Sequence, residues 1–181
     1  MPGDTGCLIC RKQAGKEEAP PGGYIYRGTH FAICHAPRKI GTAGTMIIES
    51  KRHILDFEEM TSAEGDDLMG LLGRLFPAIK QTTHAERVYS LAMMDEVPHF
   101  HLWLIPWKKD EPLRGVTYLA SEHNLSSTEE VEQAVRSIKR AFDRSGGSLP
   151  TDRPEGGSSK VGQPHGHDSG EDAKAIRRMV S

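Results

Sequence analysis

Three short segments carry residue types that can do chemistry. The first is Val97-Pro98-His99-Phe100-His101-Leu102-Trp103-Leu104-Ile105-Pro106. On a strand, side chains alternate between faces. His99, His101, Trp103 and Ile105 then share one face. Phe100, Leu102 and Leu104 share the other, which must be core. Two imidazoles roughly 7 Å apart beside an indole are unusual core filling. Taken alone, the pattern fits satisfied, partly buried histidines as well as a reactive pair. The second segment is Cys7-Leu8-Ile9-Cys10, which by itself reads as a redox pair or as no site. A redox pair is expected to open a helix after a strand, and no strand precedes this one. The third is Lys51-Arg52-His53, a basic pair able to steer an anion past an imidazole.

The intervening pattern predicts the elements that must position these groups. Tyr24 to Arg27 and Phe31 to Cys34 read as a hairpin around Gly28, and Thr45 to Glu49 as a short apolar strand entered through Gly41 and Gly44. Thr61-Ser62-Ala63-Glu64 is a capping box. It opens a helix with Leu68, Leu71, Leu72, Leu75, Phe76 and Ile79 on one stripe. Pro77 falls inside that helix and marks a point for a kink. Arg87 to Met94 and Phe100 to Pro106 read as strands. A second capping box, Ser127 to Glu130, opens a helix with Val131, Ala134, Val135, Ile138 and Phe142 at 3–4 spacing. The fold class is α+β: a mainly antiparallel sheet, one central helix and a C-terminal helix.

With these elements in place, the histidine segment resembles the signature of the histidine triad (HIT) superfamily, alternating histidines and apolar residues ending at a proline. Gly44 to His53 is similar to that family's glycine, strand, basic residue and histidine, and Cys7 and Cys10 to the cysteine pair of many bacterial members. The resemblance runs from Cys7 to Pro106 and implies a HIT-like fold. It implies transfer or hydrolysis of nucleoside monophosphate units from nucleotides or dinucleotides, with His101 as the nucleophile that forms a covalent nucleotidyl intermediate. A neutral imidazole suits that task near pH 7. It implies a structural zinc held by Cys7, Cys10, His53 and His99, a closed two-thiolate, two-imidazole set. It implies substrate contacts around His99, Trp103, Glu96 and Lys51, and a homodimer. Three positions depart from the family pattern. Trp103 replaces the third histidine, and an indole donates one hydrogen bond but shuttles no proton. Met94-Asp95-Glu96 replaces the usual Gly-Gln-Ser. No ribose-binding acid follows Phe31-Ala32-Ile33-Cys34-His35-Ala36-Pro37. These departures leave a second expectation, a nucleotide-binding protein with weak catalysis. A thiol redox protein using Cys7 and Cys10 is the third.

Composition bounds the rest. The chain has 181 residues, 23 Lys+Arg against 25 Asp+Glu, and a formal net charge of −2. No basic field favours a nucleic-acid polymer. No apolar run approaches the roughly 18 residues of a membrane span, and the N-terminus lacks a secretory pattern. A cytoplasmic address is expected, where three cysteines do not form a disulfide framework. Cys34 is expected as a small buried strand residue, and His30, His35, His84 and His123 as surface or loop residues. Arg11 to Gly23 reads as loose. The domain is expected over 1–144, followed by a disordered polar tail over 145–181 that contains His165 and His167 and ends in a short helix near Glu171 to Val180.

Overall fold

The structure is a computed structural model and describes residues 6–121 and 126–147. The tail beyond Gly147, with its expected terminal helix, and His123 lie outside the described residues. Ser145–Gly147 form a single 3-10 turn.

The elements run α1 (Leu8–Gln13), β1 (Tyr24–Arg27), β2 (Phe31–His35), β3 (Met46–Ser50), α2 (Ser62–Thr83), β4 (Arg87–Ala92), β5 (His101–Trp107), α3 (Gly115–Leu119) and α4 (Thr128–Arg144). The five strands form one sheet in the order β1-β2-β3-β5-β4. Every neighbouring pair is antiparallel. This is the expected α+β architecture, with α2 central and α4 closing. Pro77 does not end α2, which continues to Thr83.

Alternation along β5 divides the sheet into two faces. Leu102 and Leu104 join Ile33, Met46 and Ile48 in a core against Leu71, Leu75 and Ile79 of α2 and Val135, Ile138 and Phe142 of α4. The opposite face carries Cys34 and Ile47, with Tyr24 and Trp103 packed on them. Glu49 pairs in register with His101, and Ile47 with Trp103.

Two regions differ from expectation. Arg11 to Gln13 belong to α1 rather than to a loose segment. An isolated six-residue helix is marginal, so contacts with the sheet and its loops must hold it. His35 is not a loop residue but the fully buried end of β2. Its Nδ1–H donates to the Ala36 carbonyl at 2.7 Å, and its Nε2 accepts from Gly44 N–H at 3.0 Å. Burial pushes its pKa down, against the upward pull of the bond to Ala36. His30 is half-buried and His84 is the exposed left-handed cap of α2.

Gly44 explains how the chain turns into β3. Its φ is +94°, and a Cβ there would lie 2.3 Å from Thr83 Cγ2. Gly44→Ala therefore meets both backbone strain and a clash with α2. It is expected to destabilise the fold by about 1–3 kcal/mol, read as a lower urea midpoint.

Both capping boxes form. The first also receives Arg52, whose Nε and Nη2 donate to the two oxygens of Glu64 at 2.9 and 2.7 Å. That pair ties the loop carrying His53 to the start of α2. The Arg52 hydrogen bonds, opposed by burial and reinforced by Thr61, hold the Glu64 carboxyl down to about 2. A depressed carboxyl stabilises the fold fully above its unfolded value of 4.5, and that contribution is lost as pH falls towards 2. Glu64→Ala is expected to unfold at lower denaturant than the native chain at pH 7. The difference should close as pH drops through that window.

Candidate functional site

Two clusters meet at the start of β5. The first joins Cys7, the N-cap of α1, Cys10 within α1, His53 after β3, and His99 just before β5. One ligand atom from each lies within 4.8 Å of all the others. His99 Nδ1 stands 3.3 Å from Cys7 Sγ, 3.5 Å from Cys10 Sγ and 3.2 Å from His53 Nδ1. Cys10 Sγ stands 3.5 Å from His53 Nδ1. A tetrahedral ion with sulfur bonds of about 2.3 Å and nitrogen bonds of about 2.0–2.1 Å sets sulfur–nitrogen edges near ~3.6 Å and nitrogen–nitrogen edges near ~3.3 Å. These four edges match that polyhedron, and the remaining two are no longer than 4.8 Å.

The surroundings support the same geometry. His99 is fully buried, and its Nε2–H donates to the Ser50 carbonyl at 2.7 Å. That bond fixes the tautomer and turns the Nδ1 lone pair towards the thiols, as the hydrogen bond from the far ring nitrogen does for a metal-ligating histidine. Burial chiefly lowers the pKa of His99, against the bond to Ser50. The four residues can therefore hold a metal ion. The cysteine pair does open a helix, α1, with Cys10 N–H directed at Cys7 Sγ at 3.5 Å. Both sulfurs, however, point at imidazoles.

The second cluster is on the face of β5. His101 is buried, and its Nδ1–H donates to the backbone carbonyl of His99 at 2.7 Å. A carbonyl only accepts, so Nδ1 carries a proton, and in the neutral ring Nε2 keeps its lone pair. Among the described residues, Nε2 has no protein partner. Trp103 lies edge-on to His101 with ring centroids 6.2 Å apart, half-buried on Cys34 and Ile47. His99 engages both ring nitrogens internally, so its contribution on this side is its carbonyl.

Other sequence candidates are dispersed. Lys51 is exposed and donates to the Gly28 carbonyl of the β1–β2 turn at 2.9 Å. Asp95 and Glu96 are exposed in the β4–β5 connection. Trp107 donates to the Leu113 carbonyl at 2.7 Å, at the far end of β5 from His101.

Sequence reasoning missed Lys12 and Glu49. Lys12 projects from α1 onto Glu49 Oε1, forming an ion pair with a carboxylate only 1% exposed. Cys34 is buried beside them, with its Sγ 3.7 Å from Glu49 Oε1 and 3.8 Å from Lys12 Nζ. Burial, then Glu49, pushes the Cys34 thiol up to about 12, so it is protonated at neutral pH. Burial alone would lower the Lys12 pKa, yet Cys34 and Glu49 reverse the direction. With the thiol neutral, Glu49 carries that effect at pH 7. One signal was available: Glu49 interrupts the apolar run Met46-Ile47-Ile48, on the same face as Ile47.

No protein-family model and no curated protein matches the sequence. Solved structures do match the fold. A Zn-bound histidine triad family protein from Mycobacterium smegmatis is 17% identical with a TM-score of 0.60, covering 77% of this chain and 94% of its own. A HIT-like protein involved in cell-cycle regulation from Bartonella henselae is 12% identical with a TM-score of 0.59, covering 76% and 98%. A hypothetical histidine triad nucleotide-binding protein from Sulfolobus tokodaii is 16% identical with a TM-score of 0.57, covering 76% and 93%. The five-stranded antiparallel sheet, its central helix and its closing helix are thus the fold of the histidine triad superfamily.

Proposed function

We propose that this chain is a nucleotide hydrolase or nucleotidyl transferase acting at the α-phosphate of a nucleotide or dinucleotide through His101. The observation that carries this reading is the His101 tautomer. With Nδ1–H on the His99 carbonyl, Nε2 presents a lone pair on the sheet face. Nε2 attacks the α-phosphorus, the bond from phosphorus to the leaving group breaks, and the leaving group departs with the bonding pair and takes up a proton. Water or an acceptor hydroxyl then attacks the nucleotidyl-histidine and releases a proton to solvent, balancing the one the leaving group drew from it. The nucleotide leaves, and the electron pair returns to Nε2. Trp103 offers the substrate an aromatic surface and one N–H donor. His99 serves as carbonyl anchor, and Glu96 and Lys51 border the approach.

The metal is read as zinc. Two thiolates and two imidazoles close its coordination, so its role is structural. When bound, it clips α1 to the sheet and fixes the ring of His99, whose carbonyl orients His101. The partners proposed are a small nucleotide or dinucleotide and a second copy of the chain. A homodimer is supported by β4, a half-exposed strand at the sheet edge. Among the described residues, no helix is long and apolar enough to cross a membrane. The address proposed is cytoplasmic.

A second reading keeps the fold and the zinc but reduces catalysis to nucleotide binding. Trp103 favours it, because an indole 6.2 Å from His101 cannot relay a proton to a leaving group. Purified protein incubated with dinucleoside polyphosphates and nucleoside phosphoramidates separates the two. Turnover is expected, falling by roughly a thousandfold or more in His101→Ala. Equal turnover in both proteins would sink the nucleophile role, and calorimetric binding without turnover would favour the second reading.

The zinc is checked without an activity assay. Elemental analysis should find about one zinc per chain, and Cys10→Ser should lose it. Chelation should lower the thermal midpoint of the native chain.

A further inference from the structure

The Lys12–Glu49–Cys34 cluster takes no part in the metal clip or in the attack by His101, yet it lies between them. Lys12 stands two residues past Cys10 on α1. Glu49 faces His101 directly across the β3–β5 register, and strand partners on one face lie about 4.5–5.5 Å apart at Cβ. Glu49 Oε2 and the nearby Tyr24 hydroxyl are buried without a hydrogen-bond partner. Such an arrangement is a poor source of stability, because desolvating two charges offsets their attraction and orphaned oxygens add to the cost. It does hold a cation in a fixed place on the face of His101.

That face needs one. A phosphoryl group under attack carries negative charge that oriented cations stabilise. The other charged groups nearby do not supply it. Asp95 and Glu96 are acidic, Arg52 is tied to Glu64, and Lys51 is exposed to solvent, so its charge is screened where that of Lys12 is not. The Lys12 ammonium has three donors. One meets Glu49, a second lies near Cys34, and the third remains. The side chain keeps 17% exposure. A ligand oxygen can therefore reach a cation whose carboxylate partner is inaccessible.

We propose that Lys12 is the substrate-facing cation of the site, contacting phosphate oxygens of a nucleotide at His101, with Glu49 as the residue that positions it. This rests on the nucleotide reading above and adds the group that selects for the phosphate.

Zinc-loaded native chain, Lys12→Met and Lys12→Arg would be titrated calorimetrically with the four common nucleoside monophosphates and with their nucleosides. The native chain should prefer nucleotide to nucleoside. Lys12→Met should lose about tenfold or more of its affinity for the nucleotide, with unchanged affinity for the nucleoside and unchanged zinc content. Lys12→Arg, which keeps the cation, should retain the preference. An undiminished preference in Lys12→Met overturns the proposal while leaving the nucleotide reading intact. So does an equal loss of both ligands, which marks a structural role. If the native chain binds none of the eight compounds, the nucleotide reading falls and this proposal with it. A measurement on the native chain guards against a misfolded variant. Amine-reactive labelling of Lys12, followed by peptide mass spectrometry, should be slowed by the nucleotide but not by its nucleoside, and equal labelling rates overturn the proposal.

Discussion

The ring of His99 is fully buried, and its two nitrogens and the residue's carbonyl each serve a different part of the molecule. Nε2–H reaches the Ser50 carbonyl at the end of β3. Nδ1 faces the two thiols and His53. The carbonyl holds Nδ1–H of His101. A buried imidazole is costly unless its polar atoms are satisfied, and here satisfying them aligns three parts of the molecule. Ser50 N–H and Phe100 N–H add backbone bonds to Phe100 and Ile54, so the backbone around the ring is pinned as well. The orientation of His101 is a product of that accounting rather than an independent feature.

The sheet beside His99 is covered on both sides near its centre. Antiparallel sheets commonly leave one face to water, but β2 and β3 are buried at every position. The helices α2 and α4 cover one face with aliphatic side chains. The other is closed over Cys34, Ile47 and Glu49 by Tyr24, Trp103 and the Lys12 side chain. Low dielectric there strengthens each electrostatic contact, and it penalises each unpaired polar atom equally. Polar residues are affordable on that face only as networks, which is how Glu49 comes to be paired.

Local signals predicted the fold well because its main elements are locally encoded. Both capping boxes formed where Thr61–Glu64 and Ser127–Glu130 placed them. The alternation in Phe100 to Ile105 correctly assigned the two faces of β5. The misses share one physical origin. Helix α1 has too few residues to be visible as a pattern, and its position depends on residues up to 92 places away. His35 reads as a surface or loop residue because its partner is a backbone N–H on Gly44, which has no side-chain signature. Lys12 and Glu49 are 37 positions apart, and nothing local distinguishes a lysine on a short helix from a solvated one. The Cys7, Cys10, His53 and His99 set was legible only through family resemblance, since the spacing of the two cysteines alone left a redox pair equally open.

The shortness of α1 has a bearing on how the protein could be disabled. Two of the four ligand residues and the ammonium paired with Glu49 all fall within Cys7 to Lys12, and the chain then runs through an exposed stretch, Ala14 to Lys16, before β1. A single proteolytic cut in that stretch would detach all of them at once while leaving the sheet, α2 and α4 covalently whole. The product would retain its core and circular dichroism but present a naked carboxylate opposite His101, so an intact fold would be no guide to an intact site.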